Sequence, residues 1–324
     1  MGDGIRNRAR GAIGAREGVV MVSLRGRALI AKYRLMGKKR IFSDLHELHR
    51  SVESRESESA QIPDEMFERY EVDRVDIRGH YSYTLHPLRR DKPYHLFYLH
   101  GGAYIHQVED AHWRFLSRLI DESGCAVTLP VYPLAPDYQY DETLEVVEGT
   151  WEATVGREGP RHQVIMGDSA GGGLTLHLAQ WLRQRQRPQP RRLVLLSPWL
   201  DITSSHPSMP ELDPRDPFLS LPGLREAGRM YAGDLDPHDP RVSPLYGELD
   251  GLAPMTVMVG TRDVLLSDAR RLRELAAERG VRIDYEEYPG MFHGWVLQSI
   301  PEARRATERL VRTLDSGVPH AGTV

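Results

Sequence analysis

"VIMGDSAGGG", residues 164–173, places a serine between an aspartate and a run of glycines directly after an apolar stretch. Val164, Ile165 and Met166 read as the end of a buried strand, and Leu174, Leu176, Leu178, Ala179, Trp181 and Leu182 as the helix that follows. Ser169 therefore falls at a strand-to-helix turn. Gly167 and Gly171 flank it in a G-x-S-x-G pattern, where missing Cβ atoms let the chain bend sharply enough to lift the hydroxyl out of the sheet. The helix N-terminus beyond it carries unsatisfied N–H groups that favour developing negative charge. Taken alone, the pattern fits an ordinary serine helix cap as well.

A second glycine turn, "FYLHGGAY" at residues 97–104, leaves another apolar strand. Gly101 and Gly102 there, with Ala170 after the serine, form a candidate oxyanion hole of backbone N–H groups. Both turns sit at strand C-termini, where open α/β sheets place ligands. A serine hydroxyl needs a base, and "YPGMFHGW" supplies His293 in a loop after the last expected strand. "MVGTRDVLLSD" supplies Asp263 just past the preceding strand, in the chain order Ser169, Asp263, His293. Asp268 competes for the acid role, but its place before "ARRLRELAAERG" suits a helix N-cap better.

From about residue 71 onward, strands and helices alternate. "EVDRVDIRG" and "YSYTLHPL" read as an antiparallel pair, followed by strands in "YHLFYLH", "CAVTLPVY", "HQVIMG", "RRLVLLSP", "PMTVMVG" and "RIDYEEYP". Helical patterns lie at about 109–122, 142–157, 170–185, 267–279 and 302–316, which together predict a mostly parallel sheet covered on both faces. Two segments break the rhythm: residues 1–70, and a Pro-, Asp- and Gly-rich stretch at about 203–240. In the first, Met21, Leu24, Ala28, Ala31 and Leu35 form one apolar helix face ringed by basic residues. That face is expected to pack over the site as part of a cap, with docking on a membrane surface as the alternative.

The chain of 324 residues, 40 % hydrophobic and 27 % charged, is long enough for a sizeable core. Its net charge of −4 conceals a polarity: residues 1–50 hold 12 Lys/Arg against 4 Asp/Glu. The single cysteine, Cys125, excludes an internal disulfide and sits in an apolar context that predicts burial. "HELH" at 46–49 lacks the H-E-x-x-H zinc spacing, so no metal is expected. The basic "QRQRPQPRR" stretch has no interleaved aromatics and predicts no nucleic-acid contact. "GVVMVSL", residues 18–24, is far short of the roughly 20 residues of a spanning helix and no cleavage site follows it, which predicts a cytoplasmic protein.

"HGGAY", "VYPLAPD", "GDSAGG", "SPWLD", "SPLYGELDGLAP", "GTRDVLLSDAR" and "YPGMFHGW", in this order over about residues 75–314, resemble the hormone-sensitive-lipase-like branch of the α/β-hydrolases, bacterial family IV. The resemblance implies an α/β fold with an eight-stranded, mostly parallel sheet, helices on both faces and a helical cap. Residues 1–70 would be cap helices and 71–324 the catalytic domain, with a cap insertion at about 203–240. It assigns Ser169, Asp263 and His293 to a catalytic triad and Gly101, Gly102 and Ala170 to the oxyanion hole, with His100 orienting the glycine loop. Ala103 stands where glycine is commoner, and Asp137 where glutamate is commoner, a shorter arm for supporting the Ser169 turn. The implied activity is that of a serine carboxylesterase on short- to medium-chain acyl esters, through a covalent acyl-enzyme and without a cofactor. The alternatives are a non-catalytic hydrolase-like receptor and an amidase or peptidase. The expected partner is a small-molecule ester, and a homodimer is an assembly to test.

Overall fold

In "HLFYL", residues 95–99, all five side chains are buried, the pattern of a strand covered on both faces. Phe97 and Leu99 join one apolar cluster while Leu96 and Tyr98 join another on the opposite side. Leu193 and Leu195 against Val194 and Leu196 repeat that division, as the two-residue period of a pleated strand requires. The computed structural model describes residues 22–55, 62–89 and 94–316 of the chain.

The strands are β1 Tyr70–Ile77, β2 His80–Pro87, β3 His95–Leu99, β4 Ala126–Pro130, β5 Gln163–Asp168, β6 Arg192–Leu196, β7 Met255–Gly260 and β8 Ile283–Tyr288. They form one eight-stranded sheet in the order β1-β2-β4-β3-β5-β6-β7-β8. β1 and β2 are an antiparallel pair, β2 meets β4 antiparallel, and every other pairing is parallel. The N-terminal helices are α1 Leu24–Leu35, α2 Arg40–Ser43, α3 Leu45–Glu53 and α4 Asp64–Arg69. Then come α5 Asp110–Ser123, α6 Tyr140–Ala153, α7 Ala170–Gln184, α8 Met209–Leu212, α9 Leu221–Ala232, α10 Leu266–Glu278 and α11 Pro301–Asp315. Among the described residues, no helix is long and apolar enough to cross a membrane.

Leu144, Val147 and Trp151 of α6, Leu174 and Leu178 of α7, and Leu272 of α10 bury one face of the sheet. Phe115, Leu116 and Leu119 of α5 and Leu310 of α11 bury the other, where Ile30 of α1 also packs. Cys125 is buried, and Ser123 Oγ lies 2.9 Å from its sulfur. The apolar face read for the first helix is not the one the fold uses. Gly26 and Ile30 face inward, whereas Leu24, Ala28, Ala31 and Leu35 are exposed; Met21 lies outside the described residues. The helix is apolar on two opposite sides, so periodicity alone could not tell which side meets the protein.

Candidate active site

Four loops leaving the C-terminal ends of β3, β5, β7 and β8 converge, carrying the 101–103 glycine turn, Ser169, Asp263 and His293. Ser169 adopts φ 52° and ψ −120°, a backbone region that side chains rarely occupy. Its N–H donates to Leu196 O at 3.0 Å, and its carbonyl accepts from Trp199 N at 2.9 Å, so the neighbouring β6 exit holds the turn in place. A Cβ on Gly171 would lie 1.9 Å from the carbonyl oxygen of Leu99, so the glycine is what lets α7 press against the end of β3.

His293 Nε2 lies 2.9 Å from Ser169 Oγ, and its Nδ1 lies 3.1 Å from Asp263 Oδ2 and 3.2 Å from Oδ1. A carboxylate only accepts, so Nδ1 carries the ring proton and Nε2 faces the serine as an acceptor. All three residues are buried. Burial by itself would lower the His293 pKa, but the Asp263 carboxylate, reinforced by Asp216 and Asp168, raises it above the ordinary histidine value. Asp263 Oδ1 also accepts from Leu265 N at 2.9 Å, which fixes the carboxylate plane.

The glycine loop requires one correction. The N–H of Gly101 donates to Asp168 Oδ1 at 3.0 Å and is therefore not a free oxyanion donor. Among the described residues, the N–H groups of Gly102, Ala103 and Ala170 have no protein acceptor, and Gly102, Ala103 and Ser169 all line the same cavity. Asp168 also accepts from Tyr98 Oη at 2.6 Å, and His112 Nε2 stands 3.5 Å from its second oxygen. Burial opposes ionisation of Asp168, yet His112, Tyr98 and His100 together lower its pKa. His100 Nδ1 lies 2.6 Å from Gly101 O, its ring stacks on Tyr132 at 4.1 Å, and burial lowers its pKa to about 3. The ring is neutral and braces the loop.

Two residues were not picked out from the sequence. His112 on the first turn of α5 accepts from Glu109 N at 2.9 Å through Nδ1, which leaves Nε2–H pointing toward Asp168. Asp216, from the segment between β6 and β7, is buried and takes N–H bonds from Phe218 at 2.8 Å, Leu219 at 3.1 Å and Val264 at 3.1 Å. Each also makes a local contact, His112 as the N3 residue of a capping box with Glu109 and Asp216 with the N–H groups of Phe218 and Leu219. Asp168 and Val264, which they reach at the site, lie more than 40 positions away.

Asp268 is not an N-cap. It lies inside α10 and accepts through Oδ2 from Leu200 N at 3.3 Å and Asp201 N at 3.2 Å, tying α10 to the loop after β6. Asp137 pairs with Arg55 at 2.5 Å, on the side of the N-terminal helices rather than under the Ser169 turn. His49 of the "HELH" stretch lies 3.1 Å from Glu226, and no group of three or more metal-ligating side chains occurs among the described residues.

Above Ser169 lies a cavity of about 510 Å³. Tyr33 and Phe42 from the N-terminal helices, Phe218 and Leu219 from the 203–240 segment, and Leu297 give it apolar walls, while Lys38, Glu109 and Arg114 stand among its polar lining. Tyr33 Oη donates to Gln298 Oε1 at 2.9 Å, and its ring meets Phe292 edge-on at 5.5 Å. Thus α1 does cover the site, but through Tyr33 rather than through the leucine and alanine face.

Residues 96–297 match the family model of the alpha/beta hydrolase fold. An esterase of Acinetobacter venetianus is 34% identical over 215 residues, 65% of this chain and 71% of that protein. An acetyl-hydrolase of Streptomyces hygroscopicus is 35% identical over 216 residues, 66% of this chain and 72% of its own. The crystal structure of an esterase from the bacterial hormone-sensitive lipase family superposes with a TM-score of 0.74 at 27% identity, covering 90% of this chain and 98% of that one. Sheet order, nucleophile-type turn and sequence likeness agree: the chain belongs to the alpha/beta hydrolases, in their hormone-sensitive-lipase-like branch.

Proposed function

We propose that this carboxylic ester hydrolase works through a covalent acyl-enzyme on Ser169 and prefers short- to medium-chain acyl groups. The observation that carries the reading is the continuous chain from Ser169 Oγ to His293 Nε2 at 2.9 Å and from His293 Nδ1 to Asp263 Oδ2 at 3.1 Å. His293 takes the hydroxyl proton as Oγ attacks the ester carbonyl, and Asp263 holds the tautomer and stabilises the imidazolium. The oxyanion is received by the N–H groups of Gly102, Ala103 and Ala170. When the carbonyl re-forms, the C–O bond to the alcohol breaks and His293 gives the alcohol its proton. Water, deprotonated by the same ring, then attacks the acyl-enzyme; the bond from the acyl carbon to Ser169 Oγ breaks, His293 returns the proton to Oγ, and the acid leaves. A receptor has no need of this proton relay.

The preference for short chains rests on the cap reading, in which α1–α4 and the 203–240 segment with α8 and α9 roof the catalytic body. Tyr33, Phe42 and Phe218 wall the cavity of about 510 Å³, and in this reading acyl length is limited by exclusion rather than by binding strength. The acetyl-hydrolase name of the Streptomyces relative agrees with a small acyl group. The test is an acyl series of p-nitrophenyl esters: acetate or butyrate should be hydrolysed at least roughly a hundredfold faster than palmitate. Equal rates would mean an open entrance and would remove the preference, whereas activity that survives in Ser169→Ala would remove the mechanism.

A further inference from the structure

α1 is held in one orientation. Ser23 caps it by accepting from Gly26 N at 3.0 Å, while Glu302 of α11 takes the Ser23 N–H at 2.6 Å and the Ser23 hydroxyl at 3.0 Å. Ile30 is buried and Tyr33 reaches the catalytic cavity on that side. Among the described residues no protein lies over the opposite side: Leu24 is 80% exposed, Leu35 is 88% exposed, and Met36 just past the helix end is 60% exposed. At about 100° per residue, Leu24, Ala28, Ala31 and Leu35 fall within an arc of about 60°. Arg25 and Lys32 border that arc on one side, Arg27 and Arg34 on the other. Residues 24–43 contain seven Lys/Arg and no Asp or Glu.

We infer that this face docks α1, lying flat, onto a lipid surface that carries anionic headgroups. An outward apolar stripe between two rows of cations matches the boundary between acyl chains and negative headgroups, which buries the leucines and neutralises the arginines and lysines in one step. Two copies of the chain related by a twofold axis at this face would bring the same cations against each other. A nucleic acid would satisfy the cations but leave Leu24 and Leu35 in water. Tyr33, on the inner side of the same helix, then stands between the lipid and the cavity, so docking brings esters dissolved in the membrane close to the entrance.

The experiment is flotation of the full chain with vesicles of phosphatidylcholine alone and of an equimolar mixture with phosphatidylglycerol. The protein should rise with the mixed vesicles, stay down with the neutral ones, and be released as salt is raised. Leu24→Gln with Leu35→Gln should weaken binding at least about tenfold. Removing Arg25, Arg27, Lys32 and Arg34 as glutamines should weaken it at least about a hundredfold, each cation near an anionic surface being worth about fivefold. Both variants should retain the parent's melting temperature and its rate on p-nitrophenyl acetate, because none of these side chains lines the cavity. Failure to rise with mixed vesicles, equal recovery on neutral vesicles, or binding that ignores the leucines would overturn the inference. So would a dimer, or retention by DNA, abolished by the same leucine changes.

Discussion

Asp216 accepts, through Oδ2, the N–H of Val264 at 3.1 Å, and Val264 is the residue next to Asp263. Its other oxygen receives Phe218 and Leu219 N–H groups, so one buried carboxylate joins the segment over the cavity to the loop bearing the proposed catalytic acid. Phe218 lies across the His293 imidazole, with planes 19° apart and centroids 6.4 Å apart. Burial and the nearby Asp263 charge push the Asp216 pKa up to about 6.

Asp216 is accordingly expected to tune His293. Above about pH 6 it is ionised and helps raise the imidazole pKa. Hydrolysis requires neutral His293, so activity should fall as pH drops through that raised value. Asp216→Asn removes one of the supporting charges, and the acid limb of kcat/KM should move to lower pH while the plateau rate changes less than about tenfold. A profile that keeps its limb while losing stability would assign Asp216 a packing role alone.

Asp263 and Asp268, five positions apart, should behave oppositely. Asp263→Asn should cost about four orders of magnitude in kcat, because the amide no longer holds the Nδ1–H tautomer. Burial and Asp201 hold Asp268 well above the ordinary carboxylate range. A folded pKa raised in this way gives stability that is complete below about pH 4 and is lost as pH rises through the folded value. Asp268→Asn keeps an acceptor for Leu200 and Asp201, so its melting temperature at neutral pH should equal or exceed the parent's, with activity within about threefold.

For the proposed nucleophile, Ser169→Ala should lower turnover by roughly six orders of magnitude and abolish the mass added by a phosphonate or sulfonyl fluoride. Circular dichroism should stay native. Persistent labelling in the variant would place the nucleophile elsewhere.

Tyr33 supplies a readout of the cavity roof. Tyr33→Ala removes the ring that meets Phe292 and the hydroxyl bonded to Gln298. The ratio of decanoate to acetate hydrolysis should rise about tenfold, at a stability cost of about 2 kcal/mol. An unchanged ratio would mean that acyl chains run along another wall.

The strand and helix rhythm was legible in the sequence because a period of two or of 3.6 residues is written in neighbouring positions. The GxSxG turn was legible too, since the approach of Gly171 to Leu99 O admits no Cβ and the chain must say so locally. Ser169, Asp263 and His293 could be nominated because each sits at the exit of a readable strand. What the tertiary structure alone decided are the relations between segments. Gly101 loses its N–H to Asp168 only because β3 and β5 are neighbours in the sheet. Asp216 reaches Val264 across 48 positions, with no pattern in either stretch to announce it. The first helix carries apolar side chains on two sides, and which side turns inward was settled by Glu302 gripping its N-terminus and Tyr33 meeting Phe292. Sequence period specifies that a face exists; only packing energy against a particular neighbour chooses which face is buried.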